Sequence, residues 1–504
     1  MSITANQIRN IAVIGHSGEG KTTLCEAMLF NAGAIDRMGT VEQGTTVMDF
    51  DEAEKGKKMS VYASVAHLDW KGIKINLIDL PGFYDFEGER HEGLAACGGA
   101  ILVIGANGSL PIGAESVVDY CLRQGKPLII FINGMDKPTA DYPGTVEALR
   151  EKYAGKIAPI QIPIMKDGKM TGYINALQER AYEFSTKGRM DIPIPQEYAK
   201  QLDDMENRLV ETAAENDDVL LDKFFEQGGL TREDAIFGIR KGIAIGNVIP
   251  VMAGSALNNR GVINLLDEIV TYMPTADERR NTIATDLLAD EVVNVNREEN
   301  GPLAALVFKT ANDAYTGKLN YIKVFRGKLK TGDTVLNADT GKEERIGQIF
   351  TLMGKKTELV SELTAGDIGA VNKLSSTDTN NTLCAIGTKI KFDPIRFPRP
   401  SLPRAIKAAD KGDEDKIWTG LNRMKEEDYT FSAEKNTETG ELILSGQGET
   451  HLELIVSKLK SRYGITALLS KPKTPYRETI KGTAIAEGKH KKQSGGHGQY
   501  GHCK

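Results

Sequence analysis

The feature that most restricts how this chain can fold is an eight-residue stretch, GHSGEGKT (15–22), set between the apolar run NIAVIG (10–15) and a helical pattern over 21–30. It fits G-x-x-x-x-G-K-[ST] in full, and a strand before it with a helix after it is the context the motif needs. Backbone N–H groups gathered at a helix N-terminus make an anion site, and phosphate suits such a cradle. Gly18, Glu19 and Gly20 present those N–H groups, with Gly15 and Thr23 bounding the cradle. Lys21 reaches the β- and γ-phosphates, both to bind them and to stabilise charge during phosphoryl transfer. Thr22 offers its hydroxyl to Mg2+.

Further apolar runs, INLIDL (75–80), GAILVIGA (99–106) and PLIIFIN (127–133), alternate with helical patterns such as 113–124 and predict buried parallel strands. A last strand, VIPVMAGSA (248–256), returns much later, before a helix over 262–272. This is a doubly wound α/β domain, assigned to 1–280. The gap at about 158–246 is too long for a loop. It holds strand-like IQIPI and a long charged helical stretch over 196–227, and is expected to be an inserted α/β subdomain.

The polar stretch 275–300 is expected as a linker. Residues 301–398 are β-rich with closely spaced turns, which predicts a small β-barrel within a 281–400 domain. After the proline cluster FPRPSLPRA, the order βαββαβ over 401–474 is the ferredoxin-like α+β pattern. Residues 475–504 are too few for a core of their own and are expected to be the incomplete start of a fourth domain.

Three more motifs sit at strand ends. In DLPGF (79–83), Asp79 is placed to hold a Mg2+-bound water and Gly82 to face the γ-phosphate, but Phe83 can neither orient nor deprotonate a water. NGMD (133–136) and GSAL (254–257) follow buried strands. A carboxylate accepts from both N1 and N2 of guanine in a charge-assisted pair, and adenine lacks those donors. Asp136 therefore selects guanine, Asn133 braces the loops, and the Ser255–Ala256 backbone, followed by Leu257, meets O6. Each motif alone is a common turn. All four in order specify GTP or GDP.

Composition adds exclusions. Apolar content of 40% and charged content of 26% are those of a soluble globular protein, and a net charge of −6 argues against a polyanion-coating role. Charge is uneven: eleven basic residues over 458–504 face only Glu478 and Glu487. That suits either a solvated basic surface or an end that faces nucleic acid. Five scattered cysteines without a Cys-x-x-Cys pair point to a reducing cytoplasm and no zinc site. No signal-length or membrane-length apolar run occurs, so no membrane partner is expected.

With these motifs in place, the chain resembles elongation factor G among the translational GTPases. SGQGETHLELIVSKLK (445–460), YRETI and GGHGQYGH extend the likeness along nearly the whole sequence. The resemblance implies a GTP-dependent, cytoplasmic protein that partners the ribosome, both rRNA and ribosomal proteins, in translocation or a related step. A role in recycling would add a ribosome recycling factor as partner. Where the family has D-T-P-G-H, whose histidine positions the attacking water, this chain has Phe83. The lysine of N-K-x-D, whose stem packs over the base, is Gly134. An aspartate of the P-loop is Gly18. The switch segment R-G-I-T-I aligns with KKMSV (57–61), which puts Ser60 in place of a Mg2+-binding threonine and Lys58 in place of a glycine.

The expectation is GTP binding that is weaker but retained, with hydrolysis slowed. The alternative is a GTP-gated ribosome-binding factor with little or no hydrolysis, acting in recycling or rescue. A small-molecule P-loop kinase would leave 301–475 without a role. Lys58 near the γ-phosphate and His91 as a stand-in for the histidine are further expectations, each set against a plain surface role. His16 is expected to be structural.

Overall fold

Where a strand is covered on both faces its residues need no alternation, and the apolar runs behave this way. Ile8–Ile14, Gly99–Gly105 and Ile249–Ala253 are buried along their whole length. With Ile73–Asp79 and Leu128–Asn133 they form the parallel centre of a seven-stranded sheet. The computed structural model describes residues 3–186, 188–275, 278, 282–313, 317–410 and 412–504. No helix among these is long and apolar enough to cross a membrane.

Two edge strands were not expected. Ser64–Trp70 pairs antiparallel with Ile73–Asp79, and the three-residue Ile157–Pro159 lies beside Ile249–Ala253. The second is too short to show a period. The insertion's own sheet starts at Gln161–Lys166 and has four antiparallel strands. Its expected single helical stretch over 196–227 is interrupted. The Asp217 carboxylate accepts from the N–H groups of Val219 and Leu220, which ends Ala199–Ala214 and starts Asp218–Gln227. A further helix, Arg232–Ile245, completes the insertion.

Residues 275–300 are not simply a linker. Of this stretch, 276, 277 and 279–281 lie outside the described residues. Thr282–Asp286 and Glu291–Val295 form a hairpin that pairs with Ile390–Phe392. One face is solvated, which explains the polar composition, while Ala284 and Val295 pack beneath it. An eight-stranded antiparallel sheet then wraps a core that includes Val307, Ile322, Val324, Ile349 and Leu383.

The next domain has strand order Ser432–Lys435, Leu442–Gly446, Leu402–Ala408, Ala467–Ser470, covered by helices Glu414–Met424 and Glu449–Tyr463. This is the ferredoxin-like arrangement. Residues 475–504 carry the antiparallel pair Gly488–Lys492 and Gln499–Cys503, exposed throughout.

The three domains meet beside the DLPGF loop. Helix Glu87–Ala96 follows that loop and lies against strand Ala304–Asp313 of the β domain. Lys309 on that strand ion-pairs with Glu89 and Glu92 of the helix.

Candidate functional site

The parallel strands end at one edge of the sheet, and the four motifs are the loops that leave it. Gly20 is the N-cap of helix Lys21–Asn31 at φ +88, the left-handed region that favours glycine. A Cβ there would run into Asn133 Nδ2, so the P-loop and the NGMD loop pack without room for one. Gly15 lies against the Val103 carbonyl of the neighbouring strand. Asn133 joins three loops. Its Nδ2 donates to the Glu19 carbonyl at 2.8 Å, and its Oδ1 accepts from the Ala256 N–H at 2.8 Å. Met135 N–H donates to the Gly254 carbonyl at 3.0 Å, tying NGMD to GSAL. Ser255 is buried, Asp136 and Thr23 are half-buried, and Leu257 is exposed.

Around Lys21 the residues expected on the phosphate and metal side converge. The Lys21 ammonium donates to the His16 carbonyl at 3.0 Å. Thr22 Oγ1 donates to Asp79 Oδ2 at 2.6 Å and lies 3.0 Å from Ser60 Oγ. Gly82 closes over this group: a Cβ on it would sit 2.5 Å from Lys21 Nζ and from the Ser17 nitrogen.

Sequence reasoning missed Asp49, which the fold brings to the same place. It is buried beside the Ser60 hydroxyl. Nothing in VMDF (47–50) marks it except a carboxylate in an otherwise apolar turn.

The electrostatics of this cluster are those of a site short of positive charge. Burial, then the nearby Asp49, pushes the Asp79 carboxyl up to about 7. Burial also raises Asp49, against the Ser60 hydroxyl and Lys21. Burial lowers the Lys21 ammonium, against Asp79 and Asp49. Asp79 Oδ1 and Asp49 Oδ2 are buried without a protein partner. Two carboxylates with free oxygens beside two hydroxyls form a hard-oxygen donor set, and that set fits Mg2+. Three or more acidic, histidine or cysteine ligands in one group occur nowhere among the described residues, so the remaining ligands would come from water and phosphate.

The segment that brings Ser60 here is held by buried acids. Glu26 accepts from the N–H groups of Gly39 and Val47, and Glu54 accepts from those of Asp51, Val61 and Tyr62. Burial, with Asp49, raises Glu54 to about 8.

Phe83 is 38% exposed at the rim, its ring centroid 6.3 Å from that of Phe86. The two further candidates, Lys58 for the γ-phosphate and His91 for the missing histidine, are engaged in other contacts. Lys58 is exposed and pairs with Glu42 at 3.0 Å. His91 Nδ1 lies 2.6 Å from the Arg396 carbonyl, its Nε2 is 3.7 Å from Glu87, and its ring packs on Tyr120. His91 is thus a bridge to the proline-rich junction. His16 Nδ1 lies 2.9 Å from the Ser17 carbonyl, as befits a structural residue.

Two residues past Phe83, the Asp85 carboxylate accepts from His451 N–H at 3.0 Å, at the first turn of helix Glu449–Tyr463. The Phe86 ring stands edge-on to His451, and Phe86 packs with Val61 and Leu454. His451 in turn contacts Asp428 through Nε2 at 2.8 Å, while its Nδ1 accepts from Gln447 N–H at 3.1 Å. The loop that carries position 83 is therefore fastened to the ferredoxin-like domain.

Comparison with known proteins matches this architecture in three segments. Residues 6–275 match the elongation factor Tu GTP-binding domain, 302–386 match elongation factor G domain 2, and 397–471 match elongation factor G domain III. A crystal structure of a protein from Thermus thermophilus is similar at 33% identity and a TM-score of 0.85. The match covers 98% of this chain and 72% of that one.

Proposed function

The chain belongs to the elongation factor G-like translational GTPases, and from this premise we propose that it binds GTP with Mg2+ on the ribosome and hydrolyses it slowly. The step served is translocation or a related one, in the cytoplasm. The observation that carries this reading is the division of the site. Thr22 stands within hydrogen-bond reach of both Asp79 and Ser60 beside Lys21, whereas position 83, where the family has a water-positioning histidine, holds Phe83.

The roles follow from the chemistry. The P-loop N–H groups and Lys21 hold the β- and γ-phosphates. Thr22, Ser60 and Asp79, with Asp49 behind them, hold the metal, directly or through water. Mg2+, when bound, offsets the charge on the phosphate oxygens. Asp136 and the GSAL loop read the guanine, with Asn133 locking those loops to the P-loop. Phe83 has no donor or acceptor, so water is left unoriented, and such a loss slows turnover by on the order of 10²–10⁴.

A second reading is a GTP-gated ribosome-binding factor with little or no hydrolysis, in recycling or rescue. It is favoured by the engagement of His91 elsewhere, which removes one candidate substitute for the missing histidine. GTP hydrolysis with and without ribosomes, on this chain and on Phe83→His, tests both. Slow parental turnover with a gain of about 10²-fold or more in Phe83→His supports the proposal. No ribosome-dependent turnover in the parent favours the second reading. Parental turnover equal to that of a histidine-bearing relative refutes both.

A further inference from the structure

The lost lysine of the guanine motif has a candidate replacement three residues downstream. Gly134 sits at φ +83, in the left-handed region. A Cβ built on it would lie 3.4 Å from Lys137 Cε, 3.5 Å from Cδ and 3.7 Å from Nζ. These are ordinary van der Waals distances. The far end of the Lys137 side chain thus lies against the point from which a side chain at position 134 would depart.

A turn sets this up. The Lys137 N–H donates to the Gly134 carbonyl at 3.0 Å, which folds 134–137 back on itself. Met135 is buried and anchored to the Gly254 carbonyl, so the turn cannot drift from the GSAL loop. Lys137 itself is exposed, its position set by this turn rather than by a core.

We propose that Lys137 is a guanine-binding residue: its methylene stem covers the base face that position 134 leaves open. Glycine at 134 and lysine at 137 form one device. Glycine relieves the strain that an L side chain would carry at a positive φ, and with no side chain departing from 134 the Lys137 stem lies alongside the open position. The ammonium stays in water, as is usual for a long cationic side chain lying along an apolar surface.

The inference rests on the guanine-nucleotide reading above, and the test separates the two. Equilibrium binding of a ribose-labelled fluorescent GDP, with unlabelled GDP and GTP as competitors, is measured on the full chain, on Lys137→Ala and on Lys137→Met. Loss of one or two covered methylenes predicts about four- to fifteenfold weaker binding in Lys137→Ala. GDP and GTP should weaken alike, because the base is common to both. Lys137→Met keeps an unbranched apolar stem without the charge and should stay within about twofold of the parent. Lys137→Ala binding within about twofold of the parent overturns the inference alone. So does Lys137→Met as weak as Lys137→Ala, which would assign the effect to charge. A parent that binds neither nucleotide overturns both this inference and the guanine reading.

Discussion

Lys309→Met tests how the β domain is joined to the helix that follows the DLPGF loop. Lys309 and Glu92 are both buried, with Nζ 3.1 Å from Glu92 Oε2 and Glu89 as the second partner. Burial works to lower the ammonium's pKa, but Glu89 and Glu92 more than reverse this and hold it above the usual lysine range. Burial raises the Glu92 carboxyl well above its ordinary value, with Lys309 opposing the shift.

Methionine keeps the volume and removes the charge, leaving two carboxylates facing each other. Removing one partner of a buried pair costs about 3–5 kcal/mol. A second route gives a similar figure. Without Lys309, Glu92 must take up a proton to stay buried, so its folded-state pKa exceeds the unfolded value of 4.5 by more than in the parent. The folded state then binds more protons than the unfolded state, so stability falls as pH rises above that value, by ~1.4 kcal/mol per pH unit. From about pH 4.5 to about pH 7 this sums to ~3.4 kcal/mol at most, and the deficit against the parent is the part by which the variant's slope exceeds the parent's.

The assay is urea denaturation of parent and variant across this pH range. The expected result is a deficit of about 3–5 kcal/mol near pH 7 that shrinks steadily toward pH 5. Adding Glu92→Gln to Lys309→Met should recover more than half of it. A deficit below about 1 kcal/mol near pH 7, the range of an exposed pair, refutes the reasoning. So does a deficit that does not change with pH.

Two other substitutions probe the site's framework. Gly20→Ala places a methyl group on Asn133 at a φ of +88, so GDP affinity should fall at least about tenfold, with a loss of ~1–3 kcal/mol in stability. Unchanged affinity in isothermal titration would show that Asn133 does not need its two loop contacts. Asp85→Ala removes the carboxylate from the first turn of helix Glu449–Tyr463 and should cost ~1–2 kcal/mol of stability, measured by urea denaturation. A shift under a few tenths would mean that the helix end finds water instead.

The parts legible in the sequence were those with local signatures. The P-loop, NGMD, GSAL and DLPGF each announce themselves by spacing, and uniformly apolar strands lead into them. Asn133 could be assigned a bracing role because its motif is positional. Asp49 could not be found, because its partners Ser60 and Asp79 lie 11 and 30 residues away in sequence and only the fold joins them. Lys309 was invisible for the same reason: a lysine on a β-strand normally points to water, and its two acids belong to another domain. The hairpin at Thr282–Asp286 was hidden because strand pairing with Ile390–Phe392 is non-local and its exposed face is polar. Lys58 is a candidate by the alignment of KKMSV and His91 by its closeness to the DLPGF loop, each against a plain surface role, and they contact Glu42 and the Arg396 carbonyl.

The anchoring of the DLPGF loop has a mechanical consequence. Gly82 is pressed on the Lys21 ammonium, and Asp85 is tied to His451 of the ferredoxin-like domain. Three residues of chain span at most about 10 Å when fully extended, and here they include the start of a 3-10 turn, Tyr84–Phe86, so the play between these two anchors is limited to what unwinding that turn releases. A displacement of the helix Glu449–Tyr463 that exceeds this play must drag Gly82 away from the phosphate cradle. Conversely, a ligand that pins Gly82 restrains the helix. The linkage runs through the backbone and Asp85 and not through the side chain at position 83, so loss of the histidine removes a reagent while the connection between the phosphate cradle and the ferredoxin-like domain stays in place.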